Sequence, residues 1–308
     1  MSVLLAFLFP GQGSQYPDML ARVASDPRAA ATFEEAQRVL GYDVRDRDDV
    51  AALASTINVQ LGLLVAGVAS ARVLEAHNVH PDAVAGHSVG GFAAAVVTGA
   101  MQFADALLVV GERARTMERL FPSGYGMGVI AGIQERVVRE IVRAQERAGD
   151  RVYLANVNAP TQCVIAGERD AITRALEAGT AAGARRADRL DVAVPSHCPL
   201  LAPVRARLEE VLADVRLRDP EKLYVGSVGP RVIRDAGALR DDLAAGVAHE
   251  VRWHDASTML VEMGATMLIE TIPGHVLTDL AQQAFPHVRA IAFDDAGAQA
   301  VAARVARA

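Results

Sequence analysis

The segment around Ser88 is the part of this chain best suited to chemistry. Gly86-His87-Ser88-Val89-Gly90 follows a short apolar run at 83–85 and precedes a small, helix-forming run at 92–97. A Gly-x-Ser-x-Gly motif between a strand and a helix is typical of a nucleophile elbow, whose tight turn exposes the serine hydroxyl at the sheet edge. The next backbone N–H and the helix N-terminus then face the oxyanion. The motif predicts acyl chemistry through an ester on Ser88, and it leaves open whether water or another nucleophile removes the acyl group.

A serine hydroxyl needs a base, and imidazole is the usual one near neutral pH. His197 is the leading candidate because it stands where an apolar strand meets a turn before a helix, a kind of position that holds functional residues in α/β folds. His87 adjoins the nucleophile, and a structural side chain beneath the elbow is the competing interpretation. Three other histidines stay open as candidate bases: His249, His254 and His275. The last three lie in predicted surface connections: His77, His80 and His287.

Arg113 could bind an anion. It lies 25 residues beyond Ser88 (113 − 88), on a predicted amphipathic helix over 103–120 with apolar neighbours. A buried guanidinium needs an anionic partner, and its planar fork suits a carboxylate. A structural ion pair or a solvated helix face is the alternative, and the residues alone favour it.

Two polar segments could complete a site. Gly11-Gln12-Gly13-Ser14-Gln15 follows the first predicted strand; it lacks the GK[ST] ending of a phosphate loop, so a contribution to an oxyanion hole fits better. Asn156 and Asn158 alternate on one face of a predicted strand and could bind a ligand. Turn formation with Pro160 is the competing interpretation.

The elements that must position these residues alternate between strand and helix, which indicates an α/β fold with a parallel sheet. Residues 4–9 are a continuous apolar run typical of a buried strand. Between 126 and 194 the order β-α-β-β-α-β is that of a ferredoxin-like α+β unit. We therefore predict a large α/β catalytic subdomain from residues 1–124 and 194–308, with a small ferredoxin-like subdomain, 125–193, inserted in it.

Composition limits the class of protein. The 308 residues are 51% hydrophobic with a net charge of −6 and no acidic blocks, which fits a globular protein and makes nucleic acid an unfavourable partner. The N-terminus lacks the positive region of a signal peptide, and no apolar run approaches the ~18 residues of a membrane span. Cys163 and Cys198 have no metal or redox spacing. We expect a cytoplasmic chain with reduced thiols, without a bound metal and without membrane contact.

Several separated motifs together resemble the malonyl-CoA:acyl-carrier-protein transacylase family, in one order over nearly the whole chain. By that resemblance, Ser88 is the nucleophile and His197 its base, oriented by a main-chain carbonyl near Arg252. The N–H groups of Gln12 and Val89 form the oxyanion hole. Further residues are implied in substrate binding: Arg113 for the malonyl carboxylate, Gln60 in the same pocket, and Asn156, Asn158, Arg252 and His87. The motifs are 9–15, 86–90, Glu112-Arg113 with Met117, 156–160, 164–167, 195–198, 251–253 and 273–278.

Three departures from the family pattern favour one branch of it. Gly91-Phe92 stands where members of fatty-acid synthesis usually have Glu-Tyr, Arg252 replaces Gln and His275 replaces Lys. These positions, with the runs 55–61 and 121–127, resemble the epsilon subunit of malonate decarboxylase. Arg252 would contact a phosphate of the donor or carrier arm, or simply a nearby acid.

The resemblance implies transfer of malonyl from malonyl-CoA to the carrier subunit of malonate decarboxylase. It implies no cofactor bound by this chain, which uses malonyl-CoA and the phosphopantetheine-type arm of the carrier protein. The alternative is a malonyl-CoA:acyl carrier protein transacylase of fatty-acid or polyketide synthesis. A serine hydrolase and a non-catalytic complex subunit are the rivals from other classes, and Arg113 argues against the hydrolase.

Overall fold

The computed structural model describes residues 5–226 and 228–307, and its strands form two sheets. Leu4, predicted to begin the first strand, lies outside the described residues. Apolar β-prone runs build the strands, and all five residues of the first one are buried. The strands are β1 (Leu5–Phe9), β2 (Ala83–Gly86), β3 (Tyr125–Ala131), β4 (Val152–Ala159), β5 (Gln162–Glu168), β6 (Arg186–Arg189), β7 (Leu223–Val225), β8 (Val232–Ile233), β9 (Met267–Glu270) and β10 (Arg289–Ala292).

Helices surround these strands. The sequence pattern predicts helices from Phe103 to about Leu120 and near Val276–Ala284, and both are confirmed, although the second is not the last helix as expected. The α-helices are α1 (Met19–Ala24), α2 (Ala30–Leu40), α3 (Thr56–Ala76), α4 (Gly90–Val97), α5 (Phe103–Leu120), α6 (Glu135–Arg147), α7 (Arg169–Ala181), α8 (Ala202–Ala213), α9 (Ala236–Ala245), α10 (Trp253–Glu262), α11 (Val276–Ala284), α12 (Phe293–Ala296) and α13 (Ala298–Val305); short 3₁₀ turns lie at Pro27–Ala29, Val44–Arg47, Ala52–Ala54 and Pro199–Leu201.

The six-stranded sheet has the order β10-β9-β1-β2-β7-β8. All neighbours are parallel except β8, which pairs antiparallel with β7. Parallel strands buried on both faces read as continuous apolar runs, which is why the sequence predicts this core correctly. The carboxyl ends of the neighbouring strands β1 and β2 lie together, so the loops that follow Phe9 and Gly86 meet at one sheet edge. The predicted α/β fold class is confirmed.

The four-stranded sheet is antiparallel, with the order β4-β5-β3-β6. With α6 and α7 it gives the predicted β-α-β-β-α-β order, and the strands and helices of this unit lie between Tyr125 and Arg189. The division at 124/125 and 193/194 stays a prediction. The sequence pattern predicts a final strand of this unit over Arg185–Val194. Strand β6 covers only Arg186–Arg189, because it is an edge strand that pairs with β3 over four residues.

The two sheets are joined beside the chain segment that follows α9. Val157 N–H donates to Val251 O (2.9 Å), and Val251 N–H donates to Ala155 O (2.9 Å). These bonds attach β4 of the small sheet directly to the segment before α10. The segment between α9 and α10 is therefore held from both units.

Helix α3 is the exception to the expectation about membrane spans. Its 21 residues are long and apolar enough to cross a bilayer by length and composition, so the expectation that no segment approaches this criterion is wrong. However, 83% of its most apolar window is buried inside the protein. Side chains such as Leu64, Val68 and Leu74 pack in the main core, and the helix is apolar because both of its flanks are covered.

Candidate active site

Ser88 sits on a turn that only glycine neighbours allow. It follows β2 and precedes α4, and its φ of +57° lies in the left-handed region. A Cβ on Gly86 would lie 2.2 Å from Gly91 N, and a Cβ on Gly90 would lie 2.2 Å from Phe9 O. Both distances are far below contact, so the elbow can pack against β1 only with glycine at these positions. The strained turn holds the Ser88 hydroxyl at the carboxyl edge of the sheet.

His197 lies directly beside the nucleophile. Its Nε2 is 2.8 Å from Ser88 Oγ, and its Nδ1 is 2.6 Å from Gly246 O. The Gly246 carbonyl can only accept, so Nδ1 carries the proton and Nε2 accepts from the serine hydroxyl. The resemblance implied a main-chain carbonyl near Arg252, and the carbonyl that contacts Nδ1 is that of Gly246, in the segment that leads to Arg252. The segment after α9 forms a loop over the imidazole, and His197 N–H also donates to Val247 O (2.8 Å).

The imidazole of His197 is neutral in the free protein. Burial lowers its pKa to about 3, with the positive charge of Arg113 as the next cause and His87 after it. A neutral imidazole is the form that accepts a proton. The pair Ser88–His197 therefore has the geometry and the protonation state of a nucleophile with its general base, and the far side of the ring contacts a main-chain carbonyl.

Arg113 points at the same hydroxyl from α5. Its Nη2 is 3.3 Å from Ser88 Oγ, and the side chain is 3% exposed. Within residues 5–226 and 228–307 it forms no ion pair with a carboxylate, and burial lowers its pKa to about 10. A buried guanidinium without a counter-ion is costly, so this position favours an incoming anion. The structural ion pair that the sequence alone favoured is not present among the described residues.

Gln60 connects Arg113 to the loop after β1. Its Oε1 accepts from Arg113 Nη1, while its Nε2 lies 3.5 Å from both Gln12 Oε1 and Met117 Sδ. Gln60 is 1% exposed, so its amide has few other partners. The side chain holds the guanidinium in place and joins it to Gln12.

Two backbone N–H groups remain available near Ser88. In the part of the chain that the structure describes, neither Gln12 N–H nor Val89 N–H donates a hydrogen bond to the protein. Val89 immediately precedes α4, and Gln12 lies in the loop after the neighbouring strand β1. Free amides at such a junction suit the stabilisation of an oxyanion on an acyl group attached to Ser88.

An open cleft of about 250 Å³ leads to Ser88 and His197. His87, Asn156 and Asn158 lie on its wall, but their polar atoms contact each other: His87 Nε2 is 3.2 Å from both Asn158 Oδ1 and Asn156 Nδ2. Burial lowers the pKa of His87. The imidazole fills the space under the elbow and packs edge-on against Trp253 (5.5 Å between ring centres). The cleft also has apolar walls from both units, formed by Met127, Val129, Val164, Leu190, Val192, Val276, Leu277 and Leu280.

Arg252 does not line this cleft, and its assignment to substrate binding stays a prediction. Its Nη1 is 2.7 Å from Glu135 Oε1 and 3.0 Å from Glu250 Oε1, and its Nε is 2.8 Å from Asp255 Oδ2. Arg139 bonds the same two glutamates. Of the two roles considered for Arg252, contact with a nearby acid is the one seen, because α6 brings Glu135 next to the segment before α10.

The remaining candidate bases lie elsewhere. His249 contacts Ala245 O, His254 stacks on Phe285, and exposed His275 pairs with Asp279. Burial raises the pKa of both Cys163 and Cys198 to about 12, so neither is a reactive thiolate at neutral pH. No group of three or more potential metal ligands occurs among residues 5–226 and 228–307.

Sequence reasoning missed the part of the site that is formed by β7 and the segments after it. Gly246 orients the imidazole, while Tyr224, Asp242, Leu243 and Val247 line a second small cavity beside Ser88. No motif marks these residues. A carbonyl group is present at every position, so only the path of the chain shows which one reaches His197.

The comparisons with known proteins agree with this geometry. Residues 6–304 match the family model described as an acyl transferase domain. The malonyl CoA-acyl carrier protein transacylase of Escherichia coli strain K12 is 37% identical over 305 residues, which covers 96% of this chain and 98% of that protein. The structure of the transacylase of the same name from Coxiella burnetii aligns with a TM-score of 0.94 at 32% identity, over 100% and 98% of the chains. A malonyl-transacylase solved in complex with its type II polyketide synthase acyl-carrier protein aligns with a TM-score of 0.93 at 36% identity, over 98% and 99%.

Proposed function

Since this chain belongs to the malonyl CoA-acyl carrier protein transacylase family of acyl transferases, we propose that it moves a malonyl group from malonyl-CoA to the thiol of an acyl carrier protein through an ester on Ser88. The observation that carries this proposal is the buried guanidinium of Arg113, which lacks a carboxylate partner in the described chain and lies 3.3 Å from Ser88 Oγ. An acyl group with a free carboxylate, attached to Ser88, supplies the missing anion.

In the first half-reaction, Ser88 Oγ attacks the thioester carbon while its proton passes to His197 Nε2. The carbonyl electron pair becomes an oxyanion that accepts hydrogen bonds from Gln12 N–H and Val89 N–H. The tetrahedral species collapses, the carbon–sulfur bond breaks, and the CoA thiolate takes the proton from the imidazolium. The product is a malonyl ester on Ser88 and a free CoA thiol.

The second half-reaction runs through the same groups in reverse. The thiol of the carrier arm gives its proton to His197 Nε2 and attacks the ester carbon. The oxyanion forms again at the two backbone amides, the carbon–oxygen bond to Ser88 breaks, and Ser88 Oγ takes the proton back. Every proton is returned, so the cycle needs only the side chains described here and the two thiols.

The position of Arg113 also explains selectivity for a carboxylated acyl group. The positive charge of Arg113 helps to keep the pKa of His197 low. A malonyl carboxylate that pairs with Arg113 neutralises this charge and makes the imidazole a better base. An acetyl group leaves the guanidinium unpaired and leaves the base weak, so discrimination acts on the chemical step.

The acceptor that we propose is a free acyl carrier protein. The relatives reported above are malonyl CoA-acyl carrier protein transacylases, and one structure of this type holds an acyl-carrier protein as partner. These relatives favour the alternative considered from the sequence over the carrier subunit of malonate decarboxylase. The departures at Gly91, Arg252 and His275 are the sequence features that point to the decarboxylase carrier.

Intact-mass measurement after incubation with malonyl-CoA alone tests the proposal. We expect one malonyl group on the wild-type protein and none on Ser88→Ala, followed by loss of the adduct when a carrier with a phosphopantetheine arm is added. Steady release of malonate without a carrier would instead identify a hydrolase, and the absence of any adduct would indicate a non-catalytic subunit. Offering the carrier subunit of malonate decarboxylase in a parallel reaction decides between the two acceptors.

A further inference from the structure

A second cavity beside Ser88 lies away from the open cleft. It measures about 10 Å³, which is close to the smallest space that holds one water molecule. Both Ser88 and Arg113 are on its wall, so this space borders an acyl group that spans from the serine oxygen to the guanidinium. The other residues that line it are Gly91, Phe92, Tyr224, Asp242, Leu243, Gly246 and Val247.

Tyr224 forms one wall of this cavity. It lies on β7 opposite Val84 of β2 and is 2% exposed. Its hydroxyl donates to Gly91 O in the first turn of α4, at 3.3 Å. Burial, and then the negative charge of Asp242, raise the pKa of Tyr224, so the hydroxyl keeps its proton and stays a donor. The ring therefore packs beside the first turn of α4, and its hydroxyl is hydrogen-bonded to the backbone of that turn.

Gly91 makes room for this hydroxyl. A Cβ at position 91 would lie 2.9 Å from Tyr224 Oη and 3.6 Å from Leu243 Cδ2. The first distance is too short, so a larger residue at 91 would displace the tyrosine ring. The two positions depend on each other: tyrosine at 224 requires glycine at 91, and without the ring the cavity would be larger.

We propose that Gly91 and Tyr224 form a matched pair that closes the acyl cavity and thereby excludes acyl groups branched at the carbon next to the thioester carbonyl. This inference rests on the proposed function, since it requires an acyl group that spans Ser88 and Arg113. A linear malonyl group presents only a CH₂ to the cavity wall. A methylmalonyl group adds a methyl, and a methyl directed to this side meets Tyr224, Leu243 and Val247, because a space of about 10 Å³ does not admit it.

The test compares Tyr224→Val with the wild type. The measurement is the ratio of kcat/KM for methylmalonyl-CoA to that for malonyl-CoA, with one carrier protein as acceptor. Removing the ring should raise this ratio about tenfold or more, the usual value of one methyl group in a fitted pocket. Val225→Ala is the matched control, because Val225 is equally buried on the same strand but packs in the core cluster on the opposite face of the sheet. Its ratio should stay at the wild-type value. An unchanged ratio in folded Tyr224→Val would overturn the proposal.

A second comparison does not depend on the large cavity of Tyr224→Val. Gly91→Ala should lower malonyl transfer about tenfold through the contact with Tyr224 Oη, and the double variant Gly91→Ala/Tyr224→Phe should recover most of this loss. Equal losses in both backgrounds would mean that the two residues are not coupled, which contradicts the matched pair. The wild-type malonyl adduct on Ser88 is measured in the same series: if it does not form, the proposed function fails, whereas an adduct with unchanged ratios rejects this inference alone.

Discussion

The guanidinium of Arg113 lies 3.3 Å from Ser88 Oγ, although the two residues come from different elements, α5 and the turn after β2. The serine hydroxyl thus has a base on one side, at 2.8 Å, and a cation on the other. Under the proposed function, this arrangement puts the group that binds the far end of the acyl chain next to the atom that attacks its near end. We therefore expect short acyl groups that carry a terminal anion to be preferred.

Arg113→Ala tests this arrangement. The substitution should lower kcat/KM for malonyl-CoA roughly a hundredfold or more, because the carboxylate of the substrate loses a buried charged partner. The loss should be far smaller for acetyl-CoA, which has no carboxylate. Arg115→Ala is the control on the same helix, since Arg115 is half-exposed and pairs with Glu112 outside the site. Full malonyl transfer by Arg113→Ala, with acetyl-CoA still rejected, would show that the selectivity lies elsewhere.

The acid limb of the activity profile follows from His197. Its pKa of about 3 means that the imidazole in the free protein stays neutral when the pH falls well below the ordinary value of about 6.5. The profile of kcat/KM for malonyl-CoA should therefore stay nearly flat from pH 8 to about pH 5, without a titration near 6.5. Rates measured over this range check the expectation, with intact protein verified at each pH. A limb centred near 6.5 would mean that the base is a solvated imidazole.

Glu270 makes stability depend on pH in the opposite direction from most carboxylates. Burial raises its pKa to about 7, although its oxygens accept from Leu277 N–H and Thr278 N–H at the start of α11. The folded protein then binds more protons than the unfolded chain, so the contribution of this group is present below about pH 4.5 and is lost as the pH rises through 7. The free energy of unfolding of Glu270→Gln, measured by urea titration at several pH values, should fall less than that of the wild type between pH 4.5 and 7. Identical slopes for the two proteins would contradict the raised pKa.

Arg252→Ala separates a structural role from a role in binding. The ion pairs with Glu135, Glu250 and Asp255 are partly exposed, so their loss should lower the free energy of unfolding by about 1 kcal/mol or less. The KM for malonyl-CoA should not change, because Arg252 does not line the cleft. Arg139→Ala, which removes bonds to the same two glutamates, should behave alike. A clear rise of KM in Arg252→Ala alone would restore the phosphate contact considered from the sequence.

Much of the fold could be predicted because its core strands are buried on both faces. Such strands are continuous apolar runs, and β1, β2 and β9 are visible in the sequence for this reason. Other elements were not predicted. Helix α10 mixes His, Asp, Ser and Thr with its apolar residues, and β8 and β10 are short strands at the edges of the sheet. Their structure depends on the surfaces they pack against more than on their own pattern.

The sequence by itself determined the turn that presents Ser88, and it predicted this serine as the nucleophile. The glycines at positions 86 and 90 are the residues that let the backbone pack closely at the turn that carries Ser88. The separated motifs indicate acyl transfer by resemblance. The chain has eight histidines, and the sequence predicted His197 as the one that pairs with Ser88. The structure brings these two side chains together.

Only the tertiary structure decided which groups surround that pair. Gly246 orients the imidazole through a carbonyl that every residue possesses, and Arg252 binds acids that α6 happens to bring near. Gly91 stands beside a second glycine, Gly90, and nothing in the local sequence shows that its partner is Tyr224, 133 residues away. Local patterns record the propensity of a segment and the burial of its faces, whereas a hydrogen bond between distant residues depends on how the chain is packed, and that information lies in no single segment.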